Sequence, residues 1–220
     1  MSNLEIFDSR DGLFEKLAER TAAAMKDAIA ERGEAHLALS GGSTPRPIYE
    51  ALSRDDSVDW SKVTVTLVDE RMTEPGDPAS NEVLVRESLL QNHGAAATFV
   101  ALEEGATGMP TMDLAILGMG GDGHYASLFP TAEELETALA KDAPDVLRMT
   151  PNPLPENAPF PRLTMTLPMI ERTRSLVLAI TGEEKRDVFH AAHEEGPVRE
   201  YPIRSLLSLQ HKDLFIAWAL

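Results

Sequence analysis

Short apolar runs alternate along the chain with longer segments in which apolar residues recur every three or four positions. The runs are rich in aliphatic and β-branched residues, which is typical of buried strands. The longer segments have the spacing of amphipathic helices, and the one between residues 11 and 31 ends before Gly33. The pattern predicts strands at residues 4–9, 35–40, 63–68, 97–102, 113–119, 145–150, 162–167, 175–180 and 213–220, and helices at residues 11–31, 46–54, 81–93, 131–140, 168–173 and 182–194.

This order of elements predicts the fold class and the place of a binding site. Apolar strands that alternate with helices form a mostly parallel sheet covered by helices on both faces. There is no internal repeat, and the proline-rich segment 151–161 is interpreted as an irregular loop, so residues 1–220 are expected to form a single α/β domain. Such sheets bind ligands beyond the carboxyl ends of their strands, here in the loops after Leu39, Val68 and Leu117.

The composition excludes several classes of protein. The 220 residues include no cysteine, which rules out disulfides, thiolate metal sites and a cysteine nucleophile. A formal net charge of −16 argues against nucleic acid as a partner, because phosphate backbones require a basic surface. The first residues lack the pattern of a signal peptide, and no apolar run approaches the roughly 18 residues of a membrane span. We therefore expect no membrane contact and a cytoplasmic location.

The first loop, Ser40–Pro47, has the composition of a phosphate cradle. Gly41 and Gly42 allow a tight turn close to a ligand, and Ser43 and Thr44 add hydroxyl groups. The helix that follows directs its free N–H groups and its positive dipole end into the loop. The loop lacks the Gly-Lys-Ser/Thr of a P-loop and the final glycine of a nucleophile elbow. An ordinary tight turn is the alternative interpretation.

The second loop begins where a predicted strand meets the crevice, and it places Asp69, Glu70 and Arg71 there. The guanidinium group of Arg71 could hold a phosphate in a bidentate contact. A surface ion pair between Arg71 and its acidic neighbours is the alternative.

The third loop, residues 118–130, contains Gly118-x-Gly120-x-x-Gly123, which is the spacing of the dinucleotide-binding fingerprint. Its context argues against a nicotinamide cofactor, because Asp122 would repel a pyrophosphate, the next helix begins late, and no acidic residue ends a second strand at the required distance. His124 follows the glycine turn, and a histidine pKa near 6.5 suits a general base at neutral pH. Asp122 could orient His124, whereas a structural histidine that caps the turn is the alternative.

The other five histidines offer no metal site. His190 and His193 lie three residues apart on one predicted helix, and His36, His93 and His211 are isolated in the sequence. There is no H-x-x-x-H spacing and no cluster of histidine with acidic residues, so no metal ion is expected.

Six stretches together resemble the 6-phosphogluconolactonases of the pentose phosphate pathway, in the order of that family and over most of the chain. They are Leu39–Pro45, Val68–Arg71, Ser80–Asn81 with Leu89–Leu90, Leu117–Pro130, Pro161–Ile170 and Gly182–Phe189. The resemblance implies a Rossmann-like, three-layer α/β/α fold, shared with glucosamine-6-phosphate deaminases and ribose-5-phosphate isomerases. Tyr125 departs from the family, which usually has threonine after the Gly-His pair.

The resemblance also implies an activity, namely hydrolysis of 6-phospho-D-glucono-1,5-lactone by water that His124 activates, without a cofactor or metal. Asp122 is the expected partner of His124, and the backbone N–H groups of the turn that contains Gly120 and Gly121 are candidates for binding the oxyanion. A monomer or a weak dimer is expected. The residues expected to hold the phosphorylated sugar lactone by its phosphate are Gly41, Gly42, Ser43, Thr44, Arg71, Arg162 and Lys185, with Arg204 as a further candidate.

Two other functions remain open from the sequence. A sugar-phosphate isomerase or deaminase would need an acid–base pair that moves protons between C1 and C2, for which Asp69 is a candidate. The deaminases typically have Gly-His-Ile-Ala-Phe-Asn-Glu-Pro and Asp-Glu-Tyr where this chain has "GHYASLFP" and "DER", which favours the lactonase. A sugar-phosphate sensor would usually carry a DNA-binding segment, for which this chain has neither spare length nor a basic stripe.

Overall fold

Helices and parallel strands alternate through most of the chain in a computed structural model that describes residues 4–156, 158–209, 211 and 213–220. The strands are β1 Leu4–Ile6, β2 Ala35–Leu39, β3 Val63–Leu67, β4 Asp69–Arg71, β5 Thr98–Phe99, β6 Leu114–Gly118, β7 Val146–Met149, β8 Arg162–Met165, β9 Ser175–Thr181 and β10 Leu214–Ala219. The α-helices are α1 Arg10–Arg32, α2 Arg46–Ser53, α3 Asn81–Ser88, α4 Leu135–Leu139, α5 Leu167–Glu171, α6 Glu183–Ala192 and α7 Ile203–Ser208.

Seven strands form one sheet in the order β1-β10-β9-β6-β2-β3-β5, and every neighbouring pair is parallel. This confirms the predicted mostly parallel α/β architecture. From β2 the chain moves outward to β3 and β5, then returns to β6 on the other side of β2 and continues to β9 and β10. The direction of winding therefore changes between β2 and β6, which is the position where open α/β sheets form a ligand crevice.

The three remaining strands form a small antiparallel sheet in the order β4-β8-β7. The sequence pattern had placed β4 in a loop, and this prediction is wrong. Its three residues are all charged, so they lack the apolar alternation that indicates a strand. They are extended because Asp69, Glu70 and Arg71 pair with Thr164, Leu163 and Arg162 of β8, far away in the sequence.

Local signals set most helix boundaries. The side chain of Ser9 accepts a hydrogen bond from Gly12 N at the start of α1, and Gly33 ends that helix with a φ of 84°. The helix α3 ends at Ser88, earlier than the predicted residue 93, and a 3₁₀ turn follows at Asn92–Ala96. Sequence periodicity did not predict α7, which is only six residues long, and it predicted α4 twice as long as the observed helix.

The buried apolar side chains form one contiguous cluster around the seven-stranded sheet. The interior strand β9 is buried along almost its whole length, as both-face coverage by helices requires. Within the described part of the chain, no helix is both long and apolar enough to cross a membrane.

One carboxylate joins the small sheet to α3. Glu70 of β4 accepts hydrogen bonds from the backbone N–H groups of Asn81 at 2.7 Å and Glu82 at 2.8 Å, and from the hydroxyl of Ser80 at 2.9 Å. It also accepts from the N–H group of Arg71 at 2.6 Å. The first N–H groups of a helix have no partner within the helix, and a negative charge there also interacts favourably with the helix dipole.

We expect Glu70→Gln to destabilise the protein by about 2 kcal/mol. The amide of glutamine has one neutral acceptor oxygen in place of two charged ones, and its NH₂ group would face N–H and O–H donors that it cannot bind. Urea unfolding at pH 7 measures the change in the free energy of unfolding. Glu82→Gln is the matched control, since the side chain of Glu82 pairs with Arg86 on the surface of the same helix, and we expect a loss within about 0.5 kcal/mol. Equal losses in the two variants would contradict the role of Glu70.

Candidate active site

A cleft of about 420 Å³ opens at the carboxyl ends of β2, β3, β6 and β9, at the position where the winding of the sheet changes direction. Loops from four separate parts of the chain meet there, as the strand order predicts. The lining residues are Ser40, Gly41, Gly42, Ser43, Thr44, Pro45, Asp69, Arg71, Asn81, Gly118, Met119, Gly120, Gly121, His124, Ala126, Ala179 and Lys185.

The turn after β6 presents His124 to this cleft. It closes through hydrogen bonds from Gly120 N to His124 O at 2.8 Å and from Gly123 N to Gly120 O at 3.1 Å. A Cβ atom on Gly120 would lie 2.2 Å from the His124 ring, and one on Gly123 would lie 2.9 Å from the Tyr201 side chain. Gly123 also has a φ of 74°, which favours glycine. Both glycines are therefore required by the turn itself.

Asp122 holds His124 from within the same turn. Its Oδ1 atom lies 2.5 Å from His124 Nδ1 and 3.2 Å from the backbone nitrogen of His124. The imidazole ring also packs against Phe129 at 4.1 Å between ring centroids. Burial opposes ionisation of Asp122, but the hydrogen bond and charge of His124 outweigh it and lower the pKa of this carboxyl group. The ring is thus oriented at Nδ1, whereas Nε2 has no hydrogen-bond partner among the described residues.

A buried acid, Asp69, lies on the floor of the cleft. The carboxylate of Asp69 accepts a hydrogen bond from the hydroxyl of Ser127 at 2.6 Å, and the Nδ2 atom of Asn81 lies 3.4 Å from its Oδ1 atom. Asn81 Nδ2 also donates to the Asp69 backbone carbonyl at 2.8 Å. Of Asp69, Ser127 and Asn81, the sequence offers only Asp69 as a candidate acid–base group. Nothing in the local pattern identifies Ser127 and Asn81 as its partners, because β4 brings them together through the small sheet.

The loop after β2 approaches the cleft with its backbone. A Cβ atom on Gly41 would lie 1.8 Å from Asn81 Oδ1, so only glycine fits against this side chain. In the described part of the chain, the N–H groups of Gly42, Ser43 and Thr44 have no hydrogen-bond acceptor, and they stand just before the N-terminus of α2. Such N–H groups bind anions. The predicted cradle residues therefore lie together at one end of the cleft.

Two cationic side chains reach the cleft. The guanidinium group of Arg71 is positioned by a hydrogen bond from Nη1 to Ala79 O at 2.6 Å, and its buried Nε atom has no partner among the described residues. Lys185, in the first turn of α6, makes no ion pair with any described residue. Burial lowers the pKa of Lys185, and the charges of Glu184 and Asp122 partly oppose this effect.

Two arginines that the sequence offers as phosphate ligands, Arg162 and Arg204, do not line the cleft. Arg162 is 3% exposed, and its guanidinium group donates to the carbonyls of Ala158 and Phe160. Burial and the neighbouring charge of Arg71 lower the pKa of Arg162. Arg204 binds loop carbonyls and Glu200.

Tyr125, the departure from the family pattern, lies in the core. Its ring is fully buried, and its hydroxyl lies 2.7 Å from Ser205 Oγ of α7. Burial raises the pKa of Tyr125, and the hydrogen bond with Ser205 partly offsets this. This side chain therefore supports the turn from behind. Among the described residues, no three histidine or acidic side chains are grouped so as to hold a metal ion.

The lowered pKa of Asp122 makes the free energy of unfolding depend on pH. Because the pKa is lower in the folded than in the unfolded state, the contribution is fully present above about pH 4 and is lost as the pH falls through the folded pKa. Wild-type protein and Asp122→Asn should therefore differ by a nearly constant amount above about pH 4 and converge as the pH falls below it. Urea unfolding across this range measures both curves, and a difference independent of pH would contradict the pairing.

Comparison with known proteins places the chain in a family. Residues 8–216 match the model described as glucosamine-6-phosphate isomerases/6-phosphogluconolactonase. The chain is 41% identical to a 6-phosphogluconolactonase of Rhizobium meliloti, with 99% of each chain covered, and 39% identical to one of Neisseria meningitidis, with 93% of this chain and 94% of that relative covered. The crystal structure of a 6-phosphogluconolactonase from Shewanella baltica superposes with a TM-score of 0.91 at 36% identity, over 100% of this chain and 98% of that one. The chain therefore belongs to the family of glucosamine-6-phosphate isomerases and 6-phosphogluconolactonases, and within it to the 6-phosphogluconolactonases.

Proposed function

We propose that the protein hydrolyses 6-phospho-D-glucono-1,5-lactone to 6-phospho-D-gluconate, the second step of the oxidative pentose phosphate pathway, with His124 activating the water. Membership of the family supports the reaction. The observation that carries the mechanism is the oriented imidazole of His124, held at Nδ1 by Asp122 at 2.5 Å, in the same cleft as two cationic side chains and a loop of free N–H groups.

His124 is suited to act as a general base and then as a general acid. Its Nε2 atom takes a proton from water as the water oxygen bonds to C1 of the lactone. The tetrahedral intermediate collapses when the bond between C1 and the ring oxygen breaks, and Nε2 returns the proton to that oxygen. Asp122 fixes the ring orientation and stabilises the imidazolium that forms between the two steps.

The oxyanion of the intermediate needs donors that are already in place. Of the N–H groups in the turn after β6, those of Gly120 and Gly123 are engaged within the turn. The N–H group of Gly121 has no acceptor among the described residues, and Gly121 lines the cleft beside His124. We therefore assign the oxyanion contact to Gly121. One such donor contributes about 3 kcal/mol to stabilisation of the transition state.

The phosphate is assigned to the part of the cleft formed by the loop after β2 and the two cationic side chains. The free N–H groups of Gly42, Ser43 and Thr44 form an anion site before α2, and Arg71 and Lys185 provide positive charge. Holding the substrate at its phosphate converts binding that is remote from C1 into orientation of the ester. Arg162 is left out of this assignment because loop carbonyls already occupy its guanidinium group.

The isomerase or deaminase alternative depends on Asp69 as a mobile acid–base group. The hydroxyl of Ser127 is bound to one oxygen of this carboxylate, and the amide of Asn81 faces the other. A carboxylate that is held in this way is better suited to organise the floor of the cleft than to carry protons between C1 and C2. The hydrogen bonds of Asp69 therefore favour hydrolysis.

We expect His124→Ala to lower kcat by about 10²- to 10⁴-fold with a small effect on KM, because the variant loses acid–base catalysis but keeps the phosphate site. The assay follows acid release from freshly prepared lactone in weak buffer, with the spontaneous rate subtracted. His93→Ala, at an exposed position away from the cleft, is the matched control and should keep the wild-type rate. An unchanged kcat in His124→Ala would show that another group activates the water.

We expect Arg71→Ala to raise KM for the phosphorylated lactone by about 10- to 100-fold, which corresponds to the loss of one or two charge-assisted hydrogen bonds. Hydrolysis of unphosphorylated gluconolactone should change little, because it has no phosphate to hold. Arg86→Ala is the control for loss of an arginine nearby, since Arg86 pairs with Glu82 on the surface of α3. An equal effect of Arg71→Ala on both lactones would contradict the proposal that Arg71 binds the phosphate.

A further inference from the structure

A second cleft of about 420 Å³ lies under the segment that connects β5 to β6, and it shares no lining residue with the candidate active site. Its floor is formed by one face of β2 and β3. Residues 100–112 form its other wall and contain no helix or strand. Most of this wall is apolar, including Val100, Met109 and Met112.

The floor is unusual for a buried parallel sheet. His36 of β2 is in register with Thr64 of β3, and Thr66 lies two residues further on the same face. The opposite face of the same strands carries aliphatic side chains that are fully buried, such as Leu37 and Val65. Strands covered on both faces are normally apolar throughout. Three polar side chains therefore stand where aliphatic side chains are usual, on the face of β2 and β3 that lines the cleft.

Two of these polar groups lack partners. The hydroxyl of Thr66, a residue only 3% exposed, and the Nδ1 atom of His36 are buried and have no hydrogen-bond partner among the described residues. The other ring nitrogen of His36 faces Glu34 at 3.6 Å. A buried polar group without a partner costs about 1–3 kcal/mol, so a sheet that carries two of them beside a cleft is suited to a ligand that satisfies them.

The geometry points to a second binding site here, for a small uncharged molecule with an apolar ring and one hydroxyl group, of the phenol type. A hydroxyl both donates and accepts, so it can pair with Thr66 Oγ1 and His36 Nδ1 in either protonation state of the imidazole. The ring lies against the apolar wall. An anion is disfavoured, because the lining contains no lysine or arginine and Glu103 stands at its rim.

Phenol, toluene and benzoate test this site, because they share a ring and differ in the hydroxyl and the charge. Each is titrated into the wild-type protein, and backbone amide shifts are followed by NMR with and without saturating 6-phosphogluconate. Thr66→Val is the matched variant, since it removes the hydroxyl at nearly constant volume and lies outside the proposed catalytic machinery. Ala101→Trp fills the mouth of the cleft from an exposed position.

We expect saturable phenol binding that shifts the amides of residues 64–66 and 100–112 and is unaffected by 6-phosphogluconate. Toluene should bind at least 3-fold more weakly, and benzoate should not bind there. Thr66→Val should weaken phenol about 3- to 10-fold and leave toluene unchanged, as loss of one hydrogen bond requires. Ala101→Trp should abolish binding of both.

Three results would overturn the proposal. Equal affinity of phenol and toluene for the wild-type protein would mean that the hydroxyl is not recognised. Displacement of phenol by 6-phosphogluconate would place it in the active-site cleft. A dimer in sedimentation that dissociates in Ala101→Trp would show that a second copy of the chain covers this face. Lactone hydrolysis at the wild-type rate in Thr66→Val verifies that the variant is folded.

Discussion

The candidate active site depends most on the hydrogen bonds that the carboxylate of Glu70 accepts from the start of α3. This carboxylate binds the first N–H groups of α3 and so fixes that helix against β4. The residues on either side of it in β4 are Asp69 and Arg71, and the first residue of α3 is Asn81, all of which line the cleft. One charged cap therefore sets the relative positions of a cation, an acid and an amide that come from different elements.

The same arrangement explains how a chain with a net charge of −16 can accept an anionic substrate. Three acids at or beside the cleft are already engaged: Glu70 by helix N–H groups, Asp69 by Ser127, and Asp122 by His124. Their charges are compensated locally, whereas Arg71, Lys185 and the loop N–H groups keep free donors. Local donors of this kind decide anion binding at short range, because the field of distant surface charges is screened.

The alternation of apolar runs with helical periodicity was sufficient to predict the parallel sheet. The order of strands in that sheet brings the loops after β2, β3 and β6 into one crevice. The small sheet was not predictable in the same way, since β4 is three charged residues that become a strand only by pairing with β8. The same pairing does not determine which arginine reaches the cleft. Arg71 and Arg162 are partners in register, but Arg162 is turned to loop carbonyls. A sequence pattern cannot distinguish two such arginines, because the distinction lies in the tertiary contacts of each guanidinium group.

The glycines after β6 illustrate a more general ambiguity. Their spacing satisfies the dinucleotide fingerprint, in which glycines allow a tight turn and close approach of a helix. Here Gly120 gives room to the His124 ring, and Gly123 adopts a positive φ against Tyr201. The next helix along the chain, α4, begins only at Leu135, so it does not start directly after these glycines as the fingerprint requires. Glycine spacing of this kind therefore indicates a tight backbone turn against a neighbouring group, and does not by itself identify that group. At this turn the space beside Gly120 is occupied by the imidazole of His124, the side chain that we propose as the general base.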